Sequence, residues 1–276
     1  MKSYIKKIIQ IAIHRVALYL TRSAGGRYAY QQFLDASMNM RSPVQHGGVS
    51  MEFVTPNYLC RYRADSFSHK EPDTLTWLEN IPEGAVLWDV GANIGLYSIY
   101  AAKKSKAVVF AFEPSVFNLE ILARNIYHNG LQKCITIVPI ALSYTVNSSS
   151  FKLSSTSWGG ALSSFGEDFD QHGGVLNSIF EYQIMGMTMD AAITLLNIPA
   201  PRYIKIDVDG IEHFILRGGV KTLESVESVL LEIDYVFTEQ AEETELHLQN
   251  AGLTLVRKCG GDSGTQYNQW WVRFNN

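Results

Sequence analysis

Along the chain, apolar positions change their spacing twice. In MKSYIKKIIQIAIHRVALYL, residues Ile5, Ile8, Ile9, Ala12 and Val16 recur at helical intervals with Lys6, Lys7, Gln10 and His14 across from them, which predicts an amphipathic helix to about Arg22. Short runs follow. Val49–Val54 and Leu59–Phe67 read as strands around Thr55-Pro56-Asn57, and Pro72 suits the first turn of a helix ending near Asn80.

From Ala85 the rhythm becomes strand, helix, strand. AVLWDV, AVVFAF, CITIVPIAL, YIKID and SVLLEI are buried-strand patterns. Helices are expected over residues 95–104, 115–129 (closed by Gly130) and 190–197 (capped by Asp190). LTLVRK and QWWVRF finish the pattern as two late strands suited to an antiparallel edge. Such alternation predicts an α/β fold, a mostly parallel sheet with helices on both faces. Between Ser143 and Met187 the rhythm fails: SSTSWGGALSSFGEDFDQHGG is too long for a plain connection, so it is either a functional loop or disordered. Trp158, Phe165 and Phe169 favour an ordering role over a pocket.

Composition sharpens this picture in one respect. Residues 1–70 carry ten Lys/Arg and three Asp/Glu, whereas residues 71–276 carry thirteen and twenty-four. An acidic main body is a poor match for a phosphate backbone, so no nucleic-acid partner is expected. His14 and Arg15 interrupt the first helix, making it too short and too charged to span a bilayer. No small-residue cleavage site marks it as a signal peptide. The first expectation is that it packs on its own domain; the second is that residues 1–22 lie on an anionic membrane surface. Three scattered cysteines without metal-ligand spacing suggest a reducing, cytoplasmic setting.

Two groups of residues carry chemistry. LWDVGANIGLYS puts Asp89 at a strand end, followed by Gly91, Ala92, Asn93 and Gly95 before a helix. Glu113 ends the next strand twenty-four positions after Asp89, with Pro114 directly behind it. An acid at that distance in a βαβ unit commonly accepts from ribose hydroxyls. The dinucleotide pattern G-x-G-x-x-G fails at Asn93, which disfavours a pyrophosphate. S-adenosylmethionine fits better, its ammonium meeting a carboxylate and its carboxylate meeting peptide N–H groups at a helix start.

The second group is YIKIDVDGIEH, which delivers Asp207 to a strand's carboxyl end, with Lys205 before it and Asp209, Glu212 and His213 after. Asp207 is the leading candidate for a base or acceptor-orienting group. Lys205 would steady the carboxylates, Glu212 would assist, and Asp209 and His213 would shape the turn. A calcium-loop reading fails for want of a ligand position before Gly210. No metal is assigned, although an ion shared by Asp207, Asp209 and Glu232 is conceivable. No G-x-S-x-G elbow supports a hydrolase.

The combination DVGANIGLYSIYAA, FEPSVFNLEILARNI, IALS and IKIDVDGIEHFILRGG resembles the FkbM family of S-adenosylmethionine-dependent methyltransferases, over Glu71 to roughly Ile233. The resemblance implies a class I methyltransferase fold, a seven-stranded sheet closed by one antiparallel strand, and methylation of a hydroxyl on a sugar, glycolipid, polysaccharide or polyketide. It also implies that Glu71 and Thr74 help close the cofactor pocket and that Ser143 lies near the adenine. Two departures stand out: Tyr144 replaces an acid common in the family, and Asp209 replaces a glutamate. The expected organisation is an extension over residues 1–70 and a methyltransferase domain over 71–276, with 143–187 as an acceptor lid. Alternatives are another acceptor such as a polyketide, lipid or RNA ribose, or a protein that binds the cofactor without turnover.

Overall fold

The computed structural model describes residues 2–260 and 264–274. Its N-terminal helices α1 (Lys2–Leu20) and α2 (Ala24–Met38) form a hairpin. Ser23 caps α2 by accepting from Gly26 N at 3.0 Å. A Cβ at Gly26 would lie 1.7 Å from the Leu20 carbonyl oxygen, so glycine sets how closely the two helix ends approach. Packing of α1 on the body, the first expectation, does not occur. Ile5, Ile8, Ile9 and Val16 are 49–58% exposed, because α2 buries no residue either and two such helices cannot build a core.

After an antiparallel hairpin, β1 (Arg41–His46) and β2 (Val49–Val54), the stretch expected as a second strand folds as helix α3 (Tyr58–Lys70). The decisive spacing is Cys60, Ala64 and Phe67, one buried helical face. Asn57 caps it, its side-chain oxygen accepting from Cys60 N at 2.8 Å. Helix α4 (Pro72–Glu79) follows with Pro72 in its first turn, as predicted.

The alternating region builds β3 (Val86–Val90), α5 (Leu96–Lys104), β4 (Val108–Phe112), α6 (Val116–His128) and β5 (Ile135–Val138). The third expected strand breaks after Pro139. Its tail forms β6 (Ala141–Leu142), which joins β7 (Asn147–Leu153), β8 (Ser163–Phe165) and β9 (Phe180–Met187) in a separate four-stranded sheet of order β6-β9-β7-β8. The Ser-rich interval is therefore neither plain loop nor disorder. Helix α7 (Met189–Leu196) is capped by Thr188, whose hydroxyl accepts from Ala191 N, and not by Asp190. The Asp190 carboxylate instead accepts from Lys221 N, Thr222 N and the Thr222 hydroxyl. Then come β10 (Tyr203–Ile206), α8 (Glu212–Arg217), α9 (Val220–Leu223), β11 (Ser228–Asp234), α10 (Thr238–Asn250), β12 (Thr254–Gly260) and β13 (Gln266–Val272).

The main sheet has the order β12-β13-β11-β10-β3-β4-β5. Strands β5, β4, β3, β10 and β11 are mutually parallel. β13 pairs antiparallel with both β11 and β12, so it alone runs against the rest. That is the class I methyltransferase arrangement. Period-two alternation splits the core between the faces: Trp88 and Val90 pack with Phe112 and Ile206 on one side, Leu87 with Val109 and Ile99 on the other. The chain runs outward from β3 through β4 to β5, then returns to β10 on the opposite flank of β3. The carboxyl ends of β3 and β10 therefore face a crevice at a topological switch point, where open α/β sheets bind ligands.

Candidate active site

At that crevice lies a cavity of about 690 Å³, within the usual range for small-molecule sites. β3 delivers Asp89, which is 1% exposed. Its Oδ2 accepts from the Ser98 hydroxyl at 2.5 Å, while Oδ1 is buried without a partner. Burial pushes this carboxyl up, against the Lys205 ammonium and the Ser98 hydrogen bond, which pull it down.

The turn that follows is held open by its backbone. Gly91 N and Ala92 N both donate to Phe112 O at 3.0 Å, and Gly91 (φ 82°), Asn93 (φ 52°) and Gly95 (φ 86°) all adopt left-handed conformations. A Cβ on Gly91 would meet the Asp207 carbonyl oxygen at 1.9 Å, so the glycine turn and the β10 edge touch through backbone alone. Glu113, at the end of β4, closes the same turn. Its Oε2 accepts from Asn93 N at 2.7 Å and its Oε1 from Ser115 N at 2.8 Å. Burial raises this carboxyl to about 7 in spite of those bonds. The Asn118 side chain also bonds to this carboxylate, which leaves part of its acceptor capacity for a ligand. Gly91, Ala92, Asn93, Glu113 and Pro114 line the cavity.

From β10, the Lys205 Nζ donates to Asp207 Oδ2 at 2.9 Å and sits 5.0 Å from the Tyr97 ring centre. Burial works to raise Asp207, but the Lys205 ammonium, with Lys70 and Arg63, holds it net below the usual carboxylate range. Asp207 is thus an ionised acceptor whose side chain stays 37% exposed at the cavity surface. Glu71, from the start of α4, also lines the cavity, paired with Lys70 at 3.1 Å.

Five residues singled out in the sequence lie behind the cavity wall rather than in it: Asp89 and Gly95, at either end of the glycine turn, and Thr74, Ser143 and Glu212. Thr74 is fully buried and donates from its hydroxyl to Glu71 Oε2 at 3.2 Å, so it supports Glu71 from behind. Ser143 is buried with its backbone N bonded to Met187 O, which ties β6 to β9. Glu212 turns back under the turn before α8, accepting from Val208 N, Gly210 N and Gln240 Nε2. Burial pushes it up to about 7. Its position makes it a brace for the Asp207–Gly210 turn.

Glu232, considered in the sequence only as a metal ligand, also lines the cavity. Glu232 projects from β11 one position beyond the Ile206–Leu231 register pair, next to Asp207. Burial, with Asp207 and Glu71 close by, raises it well above the usual carboxylate range. Asp207 and Glu232 are neighbours in register, while the Asp209 carboxylate is engaged by Leu162 N and Ser163 N. No cluster of three or more His, Cys, Asp or Glu side chains arranged for a metal occurs among the described residues.

Asp209 instead reaches across to the small sheet, accepting from Leu162 N at 2.7 Å and Ser163 N at 3.3 Å. It belongs to a set of side chains that pin the strap of residues 158–163 over the cavity. Asn57 Nδ2 donates to Trp158 O, Arg63 Nε to Gly159 O, and Asn93 Nδ2 and Asn118 Nδ2 both to Gly160 O. Sequence spacing could not have found this: the latching residues are up to about a hundred positions from the strap. Asp209 also keeps the turn shape assigned to it, with φ 63°.

The chain was compared with known proteins in sequence and in fold. A family model described as the Methyltransferase FkbM domain matches residues 89–260. Over 162 residues the chain is 32% identical to the hexuronic acid methyltransferase AglP of Haloferax volcanii, covering 56% of this chain and 59% of that protein. A shorter match, 34% over 67 residues, is to the methyltransferase sdnD of Sordaria araneosa, 24% of this chain and 26% of that one. The chain thus spans less than two thirds of the length of either relative. Among solved structures, an S-adenosylmethionine-dependent methyltransferase from Aquifex aeolicus overlays with a TM-score of 0.43 at 13% identity, covering 78% of this chain and 97% of that one, a likeness too distant to speak to function. With well over half of its length inside the family model, the chain belongs to the FkbM methyltransferase family.

Proposed function

We propose that the protein is an S-adenosylmethionine-dependent O-methyltransferase acting on a hydroxyl of a sugar or glycoconjugate. The observation that carries this reading is one cavity joining the Gly91–Ile94 turn, which follows Asp89, to Asp207 at the edge of β10. The residues suit the cofactor. Asp89 offers a buried carboxylate oxygen with no partner of its own, and the glycine turn leaves bare backbone where a side chain would intrude. Asp89 and the start of α5 would hold the methionine end, and Glu113 the ribose; Glu71 and Pro114 line the surrounding wall. The bound donor supplies a methyl group activated on a sulfonium.

The chain's own residues do the rest. Asp207 accepts the hydrogen bond of the acceptor hydroxyl and receives its proton, with Lys205 fixing the carboxylate's direction. Glu232, its neighbour in register in the same cavity wall, faces a second acceptor oxygen with a carboxyl that burial favours in its neutral, donating form. Glu212 acts through the turn it braces. For the acceptor class, the similarity to a hexuronic acid methyltransferase is the support.

The strap of residues 158–163 and the small sheet behind it serve as the acceptor lid. Its latches, Asn93 and Asp209, sit in the cavity wall, so ligand binding bears directly on them. Limited proteolysis with and without S-adenosylhomocysteine tests the reading. Slower cleavage between Tyr144 and Tyr182 when the ligand is present is the expected result; identical cleavage patterns would contradict it.

A further inference from the structure

We infer that the α1–α2 hairpin is a docking device for an anionic membrane surface. Its apolar side chains have no cover in the fold. Besides the isoleucines of α1, Leu18 and Tyr19 are 54% and 72% exposed, and α2 adds Tyr28 at 66% and Phe33 at 71%. Monomeric surfaces rarely leave so long a run of apolar residues bare. Among the described residues no helix is long and apolar enough to cross a membrane, so a helix of this kind lies along an interface.

Charge selects the partner. Residues 1–34 contain Lys2, Lys6, Lys7, Arg15, Arg22 and Arg27 and no Asp or Glu. A second copy would bring six positive charges against six, whereas a bilayer carrying anionic lipid attracts all of them. Aromatic side chains such as Tyr19, Tyr28 and Phe33 suit the headgroup boundary. The tight turn at Ser23–Gly26 holds the two helices together as one unit.

The hairpin's root also adjoins the active site. Met38, at the end of α2, packs in the same hydrophobic cluster as Trp158, the first residue of the strap over the cavity. Docking through α1 and α2 would therefore place the membrane beside the lid of the cavity.

The test is co-sedimentation of the full chain with phosphatidylcholine vesicles and with vesicles containing phosphatidylglycerol. Binding is expected to be at least roughly tenfold stronger to the anionic vesicles, given the pull of several juxtaposed basic residues, and to weaken steeply in high salt. The double variant Ile8→Asp/Ile9→Asp should release the protein from vesicles with no change in thermal stability, because both side chains are already exposed. Equal binding to neutral vesicles, or none to either, would overturn the inference. So would a stable dimer by light scattering that the same variant dissolves, since a second copy would then cover this face.

Discussion

Asp207→Asn is expected to abolish most turnover while leaving the affinity for S-adenosylhomocysteine unchanged. The carboxylate is the ionised group that the β10 edge presents to the cavity, held in line by Lys205. Loss of a positioned proton acceptor typically costs about 10²–10⁴-fold in rate. The amide preserves shape and still offers Lys205 an oxygen. Asp89 and Glu71 also remain near Lys205, so the buried ammonium is not stranded and the fold should persist. Thermal unfolding checks that last point. Wild-type turnover by the variant would remove Asp207 from the mechanism.

The second large effect is on cofactor binding. Glu113→Ala should weaken S-adenosylhomocysteine by roughly 10- to 100-fold, since a hydrogen bond to a charged group contributes about 1.5–3 kcal/mol. Part of that loss would come from the turn itself, because Glu113 also receives Asn93 N and Ser115 N. A pH series separates the two contributions. Burial raises Glu113 from its ordinary 4.5 to about 7. The free site is thus largely protonated at pH 6 and ionised at pH 8. Ribose hydroxyls donate best to the ionised form, so wild-type affinity should climb between pH 6 and 8. In Glu113→Gln that rise should vanish. Calorimetry reads both effects, and affinity undiminished in Glu113→Ala would refute the ribose assignment.

Much of this was legible in the chain, and the reason is local. Asp89, the glycine turn and Glu113 lie within one strand–helix–strand unit, where the hydrophobic period fixes each element and each strand end fixes its acid. The placement of Asp207 followed from the same rule applied once more. Readings failed where the deciding contact was remote. Leu59–Phe67 alternates well enough to pass for a strand, but its helical face of Cys60, Ala64 and Phe67 is chosen by a core assembled elsewhere in the sequence. Thr188 outcompeted Asp190 as a cap because Asp190 is held by α9, thirty residues on. Glu212 was placed in the site on proximity to Asp207 along the chain, yet the turn at Gly210 sends it the other way, toward Gln240.

The strap shows the same limit from the opposite side. A serine- and glycine-rich stretch carries little pattern of its own, so it read as loop. It is ordered by Asn57, Arg63, Asn93, Asn118 and Asp209, five side chains spread over four different parts of the chain. Asp209 is the most informative of them. In the sequence it is a substitution for a glutamate and looks like a turn residue. In the fold it ties the β10 edge to the piece of chain that roofs the cavity.

The most direct test of the account is methyl transfer from methyl-labelled S-adenosylmethionine into a glycoconjugate fraction, scored by the fate of the label. S-adenosylhomocysteine formation is expected, with label that survives protease and nuclease and is recovered as an O-methylated sugar after acid hydrolysis. Label that disappears with nuclease treatment, or incorporation by the wild type no greater than by Asp207→Asn, would contradict it.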